Sequence, residues 1–273
     1  MKVSEAAPHT LIRSRDNPLI AELRKLNAGS TVYRKQGRVW LEGDHLCRAV
    51  LARGFKPALA LYSESFWPIA QSIWAQAAIK NIVVPDSVFG QISGLESPAS
   101  IGFVLDLPES TPLRPSVATV ILDRVQDAGN VGSILRSAAA FGFSQVIALK
   151  GTAALWSPKV LRAGMGAHFA LQLIEGIEVG ALNALAVPFL VTSSHQGALL
   201  GSAGCAALPS PCAWVMGHEG QGVSQLLMDK AALKVRIGQP GGEESLNVAA
   251  AAAICLHASA IGATSAIGQA QLM

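Results

Sequence analysis

The second half of the chain alternates short apolar runs with longer segments of helical period. Val117–Leu122 is an apolar run of the kind expected for a parallel strand buried on both faces. A helix is predicted over Val131–Phe141, a strand over Gln145–Leu149, and further strands over Phe189–Thr192, Ala213–Met216 and Leu233–Ile237. A last, alanine-rich helix starts near Asn247. Such alternation predicts an α/β fold with a parallel sheet covered by helices on both faces.

The first part mixes its signals. Asn17-Pro18 opens a helix through Leu26, with Arg24 and Lys25 on its exposed side. Val39–Gly43 reads as a strand ending in a glycine turn, and His45–Arg53 as the next helix. Leu59–Tyr62 and Asn81–Val84 are further strand candidates. Three prolines in the nine residues Leu107–Pro115 then mark a linker. The expected division is residues 1–106, a linker at 107–115, and residues 116–273.

Charge sharpens that division. Residues 1–56 carry eleven Lys/Arg against five Asp/Glu, whereas the remainder carries ten against thirteen. A basic end on a mildly acidic body fits a polyanion-binding region, although a solvated basic face gives the same balance. Half of the 273 residues are apolar and 14% are charged, enough for a sizeable core. Cys47, Cys205, Cys212 and Cys255 show neither a CxxC pair nor a zinc spacing, so free thiols in a reducing compartment are expected, and no metal. The start of the chain is polar and lacks the apolar core of a signal peptide. Val248–Ile261 is too short to span a bilayer, and a cytoplasmic protein is expected.

Several chemistries lack their loops. No G-x-G-x-x-G follows the first strand of the second part, which continues Asp123-Arg124-Val125-Gln126-Asp127-Ala128-Gly129-Asn130. No Gly-Lys-Ser/Thr of a P-loop and no G-x-S-x-G elbow occurs. Three other segments stand at strand–helix junctions, where free backbone groups can hold a ligand. They are Asn130-Val131-Gly132-Ser133-Ile134-Leu135-Arg136, Gly217-His218-Glu219-Gly220-Gln221-Gly222 and Glu244-Ser245-Leu246-Asn247-Val248.

Together, in this order, they resemble the SpoU family of S-adenosylmethionine-dependent RNA ribose 2′-O-methyltransferases, within the SPOUT superfamily. The likeness extends to Ser157–Ala167. The segments Ser14–Ile20 and Arg38–Gly43 resemble the family's small α/β substrate-binding domain, which is related to RNA-binding ribosomal proteins. The resemblance implies a knotted α/β methyltransferase domain over 116–273 and an RNA-binding domain over 1–106. It also implies an active site completed across a homodimer. By motif position, Gly217, Ile237 and Leu246 would contact S-adenosyl-L-methionine, while Asn130, Arg136, Glu219, Ser245 and Asn247 would serve catalysis. Arg13, Arg15, Arg24, Lys25, Arg34, Lys35 and Arg38 would contact phosphates of RNA, with rRNA favoured over tRNA. One departure stands out: the family's third motif commonly begins Ile-Pro-Met, and this chain has Ile237-Gly238-Gln239-Pro240.

Singly, each residue has a plainer explanation. Arg136 fits the surface of an amphipathic helix, Asn130 and Asn247 fit helix caps, and Glu219 a solvated loop carboxylate. His218 and His257 carry no assigned role. The altered Ile237–Pro240 segment also suits a second reading, a non-catalytic RNA-binding or ribosome-assembly protein of the same fold. A nucleotide-binding oxidoreductase lacks its phosphate loop.

Overall fold

In the computed structural model, Asn17 caps the first helix, α1 (Pro18–Ala28). Its side chain accepts from the Leu19 N–H, and Pro18 takes the first helical position, where no donor is needed. The structure describes residues 7–107, 111–193, 196–202, 208–242 and 245–270, with side chains to residue 262. Cys205 and Glu244 lie outside the described residues. Residues Met1–Glu109 with Trp156–Phe169 form one compact unit, and Ser110–Leu155 with Ala170–Met273 form another.

The first unit holds a five-stranded sheet ordered β1 (Thr10–Leu11), β4 (Lys80–Val84), β3 (Leu59–Ser63), β5 (Ile101–Asp106), β2 (Arg38–Glu42). β1, β4 and β3 are parallel, and β5 is antiparallel to both of its neighbours. Around it lie α2 (Val32–Gln36), α3 (Asp44–Ala52), α4 (Trp67–Ile73) and α5 (Asp86–Ile92). Ile20, Leu23 and Leu26 share one buried face of α1 and pack against Trp40, Leu61 and Phe89. Trp40 lies over Gly102 across the β2–β5 pair, where an added Cβ would come within 2.1 Å of the indole; only glycine fits beneath it.

The strap from residue 156 to 169 departs from the expected division, which placed it with the C-terminal part. Its helix α7 (Pro158–Gly164) packs on α1 and β2, and Phe169 meets Phe55 at 5.5 Å between ring centres. Val160 and Leu161 are buried there, so apolar burial assigns the segment to the first unit.

The second unit is built on a seven-stranded, all-parallel sheet. Its order is β10 (Ala198–Leu199), β12 (Leu233–Arg236), β9 (Phe189–Thr192), β11 (Ala213–Met216), β6 (Thr119–Leu122), β7 (Gln145–Leu149), β8 (Gln172–Ile177). Helices α6 (Ala128–Ala140), α8 (Gln225–Lys230) and α9 (Val248–Ala270) complete it. The chain steps outward from β6 to β7 and β8, then returns to build β9 and β11 on the other side of β6. The order reverses between β6 and β11, and in parallel sheets such a reversal opens a crevice beyond the strands' carboxyl ends. Ala252, Cys255, Leu256 and Ser259 line the buried side of α9, which packs on α6 and β11. Ser259 Oγ accepts from the buried Trp214 Nε1 at 2.9 Å, so the polar edge of the indole is satisfied inside the core.

Residues 111–115 of the expected linker are tied down. Gln172 Nε2 donates to the Pro112 carbonyl at 2.8 Å, the Arg114 N–H donates to Gln145 Oε1 at 2.9 Å, and the Pro115 carbonyl accepts from the Ala186 N–H. Two glutamine side chains thus hold a strand-less stretch to the second sheet. Cys47, Cys212 and Cys255 are buried and unbridged. Burial pushes the Cys47 thiol well up and the Cys212 thiol to about 11, against a smaller opposing effect of Ser259, which suits packing and not nucleophilic chemistry. Among the described residues, no helix is long and apolar enough to cross a membrane.

Candidate active site

The loops leaving β9, β11 and β12 and the start of α9 enclose a cleft of about 590 Å³. Its walls include Gly217, Glu219, Ile237, Ser245, Leu246 and Asn247, six of the eight residues that the family resemblance assigned to catalysis or cofactor binding. The two halves of the Gly217–Gly222 turn press together. The His218 N–H donates to the Gly222 carbonyl at 3.0 Å, and the Gly222 N–H donates back at 2.8 Å. An added Cβ at Gly217 would lie 2.2 Å from the Gly222 carbonyl carbon, so this position must be bare. His218 closes the turn, its Nδ1 accepting from the Gly220 and Gln221 N–H groups at 3.0 and 3.2 Å. The sequence favours a structural histidine here over a catalytic one, but the backbone groups it binds could not be read there.

Glu219 faces the start of α6. Its carboxylate accepts from the Gln126 N–H at 3.1 Å, the Asp127 N–H at 3.0 Å and Asn130 Nδ2 at 3.1 Å. Asn130 Oδ1 in turn accepts from Asn247 Nδ2 at 2.9 Å. All three motifs therefore meet in one line, Glu219–Asn130–Asn247. Asn130 is not the helix cap: Asp127 is, its Oδ1 accepting from the Asn130 N–H at 2.7 Å, which leaves the Asn130 amide for Glu219 and Asn247. Asn247 does cap, accepting from the Ala249 and Ala250 N–H groups at 2.9 and 3.2 Å, and still donates to Asn130.

Partial desolvation pushes the Glu219 carboxyl up, but four hydrogen bonds outweigh it. These come from the Asp127 N–H, the Asn130 amide, the Gln126 N–H and its own backbone, and they bring the pKa from 4.5 down to about 2. The native value lies below the unfolded one, so Glu219 stabilises the fold fully above pH 4.5 and loses that contribution as pH falls towards 2. Denaturation of wild type and Glu219→Gln at pH 6 and pH 3 should show the gap between them narrowing at the lower pH. A gap of constant size would deny the carboxylate this role.

Arg136 stands apart. It lies on α6, exposed, outside the cleft lining and without a hydrogen bond or ion pair among the described residues. In the first unit, several candidate cations are engaged. Arg38 pairs with Asp106 at 2.7 Å and Glu22 at 4.0 Å, Arg13 with Glu64 at 3.5 Å, and Arg15 with Asp16 at 4.0 Å. Arg24 donates to the Arg15 carbonyl, and Arg34 lies over the Tyr33 ring. Lys25 and Lys35 are exposed. Charge counting along the sequence missed partners brought close only by folding, such as Asp106 for Arg38.

The cleft suits an adenosine-bearing cofactor. Ile237, Leu246, Val223 and Met228 give it apolar walls, the bare Gly217 lets backbone come close, and Thr192 and Ser193 add hydroxyls. Gln239, in the segment that departs from the family pattern, lines the cleft and keeps its buried Oε1 without a partner among the described residues. That orphaned acceptor leaves a polar demand in the wall that a bound molecule could meet.

The chain is similar to known RNA methyltransferases. The profile of the SpoU rRNA methylase family matches residues 118–257. The 23S rRNA (guanosine(2553)-2′-O)-methyltransferase RlmP of Bacillus subtilis is 29% identical over 252 residues, which covers 90% of this chain and 97% of that protein. The mitochondrial rRNA methyltransferase 3 of Mus musculus is 32% identical over 57% of this chain, which spans only 40% of the mouse protein. Among solved structures, an rRNA methyltransferase from Sinorhizobium meliloti with AdoMet bound superposes with a TM-score of 0.78 at 25% identity, covering 92% of this chain and 97% of the other.

Proposed function

The chain belongs to the SpoU rRNA methylase family, and from that premise we propose a division of labour for its residues. The protein is an S-adenosylmethionine-dependent methyltransferase acting on a ribose 2′-hydroxyl of RNA. The observation that carries the reading is the Glu219–Asn130–Asn247 line beside the glycine-tight cleft. Gly217, Ile237 and Leu246 would hold S-adenosylmethionine, which would supply an activated methyl group. The chain's own residues must then align the hydroxyl and stabilise the charge that develops on its oxygen.

Glu219 is an orienting group. A carboxyl with a pKa of about 2, its oxygens already taken by N–H donors, is too weak a base to draw a proton from a ribose hydroxyl at neutral pH. It fixes Asn130, whose second amide hydrogen is left to hold the ribose. Ser245 adds a hydroxyl to the same rim. Arg136 offers a planar fork of donors and no acceptor, so its part is to grip the neighbouring phosphate and stabilise the developing alkoxide, with the proton leaving through that phosphate or water. Because Arg136 lies off the cleft, the reading includes a second copy of the chain that brings the two together. Ile254 and Ile261 on the outer side of α9, 40% and 53% exposed, offer an apolar face for that copy. Light scattering at micromolar concentration should give a dimer; a monomer would remove the shared site. The knotted topology and the cytoplasmic compartment belong to the same proposal.

rRNA is the favoured substrate, and the basic first unit, through Lys25, Lys35 and the arginines near them, is the part that binds it. Methyl transfer from labelled S-adenosylmethionine to unmodified rRNA and tRNA pools, followed by digestion and nucleoside mass spectrometry, tests the whole reading. A labelled 2′-O-methylnucleoside in the rRNA pool is expected. No transfer and no cofactor binding would favour the RNA-binding scaffold.

A further inference from the structure

Asp123, which follows the last residue of β6, is 2% exposed and lies outside the cleft lining. It holds both ends of the loop that forms one cleft wall. Its N–H donates to the Met216 carbonyl at 2.8 Å, at the end of β11. Its Oδ2 accepts from the Ser224 N–H at 2.6 Å, at the cap of α8. The cofactor-facing residues Gly217–Val223 run between these two anchors.

The other carboxylate oxygen continues the connection. Oδ1 accepts from Arg124 Nε at 3.1 Å, and the far side of the same guanidinium donates to Gln221 Oε1 at 2.9 Å, at the tip of the loop. Arg124 holds a left-handed backbone with φ of 60°, unfavourable for any residue with a side chain. Its N–H donates to Thr152 Oγ1 at 3.1 Å, and Thr152 donates to the Leu122 carbonyl at 3.0 Å. Strain held in place by surrounding bonds, beside a candidate site, points to a positional purpose. A backbone freed of it would aim the guanidinium elsewhere.

We propose that Asp123 and Arg124 are positioning residues: a buried carboxylate and a partly exposed guanidinium form a strut that sets the shape of the Gly217–Val223 wall and so the affinity for cofactor. The inference rests on the methyltransferase reading of the cleft and adds to it two residues that do not line the cleft. Fork geometry is essential to it, because one guanidinium must reach Asp123 and Gln221 at once.

Arg124→Gly separates strut from fold. Glycine accepts the left-handed backbone, and that relief offsets the lost pair with Asp123, so the melting temperature should move little, while loss of the strut should weaken S-adenosylmethionine binding by about tenfold in calorimetry. A purely structural residue would move stability and affinity together. Arg124→Lys, with one ammonium in place of the fork, should not restore affinity, and Asp123→Asn should weaken it as well. Hydrogen exchange of the 217–224 amides reads the same strut without cofactor and should quicken in Arg124→Gly. Unchanged exchange would show that the strut does not hold the loop; quickened exchange with unchanged affinity would show that holding it does not matter for binding. If the wild type binds no S-adenosylmethionine, the methyltransferase reading and the strut's role in affinity fall together, and exchange still decides whether the strut holds the loop.

Discussion

Replacing Arg136 by alanine is expected to slow methyl transfer by roughly 10²–10³-fold, the usual cost of removing one preorganised donor from a developing oxyanion. Cofactor affinity should hardly change, because Gly217, Ile237 and Leu246, the residues assigned to hold the cofactor, are untouched. Its exposed position on α6, with no ion pair among the described residues, means that truncation removes no buried contact and no salt bridge. The defect should therefore fall on the transfer step at saturating cofactor, with the melting temperature preserved. Arg136→Lys keeps the charge but loses the fork that matches a phosphate, and should recover only part of the rate. Single-turnover kinetics with labelled cofactor checks this. Full turnover by Arg136→Ala would remove the residue from the mechanism.

Gly217→Ala is expected to act on binding instead. The new methyl would sit 2.2 Å from the Gly222 carbonyl carbon and 2.3 Å from the Val223 nitrogen, both backbone atoms of a turn closed by two hydrogen bonds. Neither can move aside without opening that turn. Overpacking of this kind costs about 1–3 kcal/mol, equivalent to roughly 10–100-fold in cofactor affinity if the strain falls on the binding-competent shape. Gly220→Ala is the matched control, since its Cβ would meet only the His218 ring at an ordinary 3.8 Å. Calorimetry should separate the two substitutions; equal affinities would show that the turn does not shape the pocket.

The parallel sheet of the second unit was legible because its inner strands are apolar on both faces: Ala213–Met216 is buried throughout, as is Thr119–Leu122. β8 escaped because Gln172–Ile177 is an edge strand, half-buried along most of its length, with neither an apolar run nor clean alternation. The three polar motifs could be collected from the sequence, but not the bonds among them, since Asn130 and Asn247 are 117 positions apart. Asp123 gave no signal at all. An aspartate after a strand is unremarkable until folding brings Met216 and Ser224 to it. The basic character of residues 1–56 was read correctly as charge, but pairing with Asp106 and Glu64 depends on where the chain returns.

The strap of residues 156–169 sets a constraint on the order of synthesis. The first unit draws Val160 and Leu161 of α7 from beyond the first two strands of the second sheet. A nascent chain that has emerged only as far as residue 109 lacks that helix, and what α7 will cover stays open to water until Phe169 has left the ribosome. By then β6 and β7 are already exposed and waiting for partners, β11 among them, that have yet to be translated. The two units cannot be completed one after the other; each is held unfinished until a later stretch of the chain arrives.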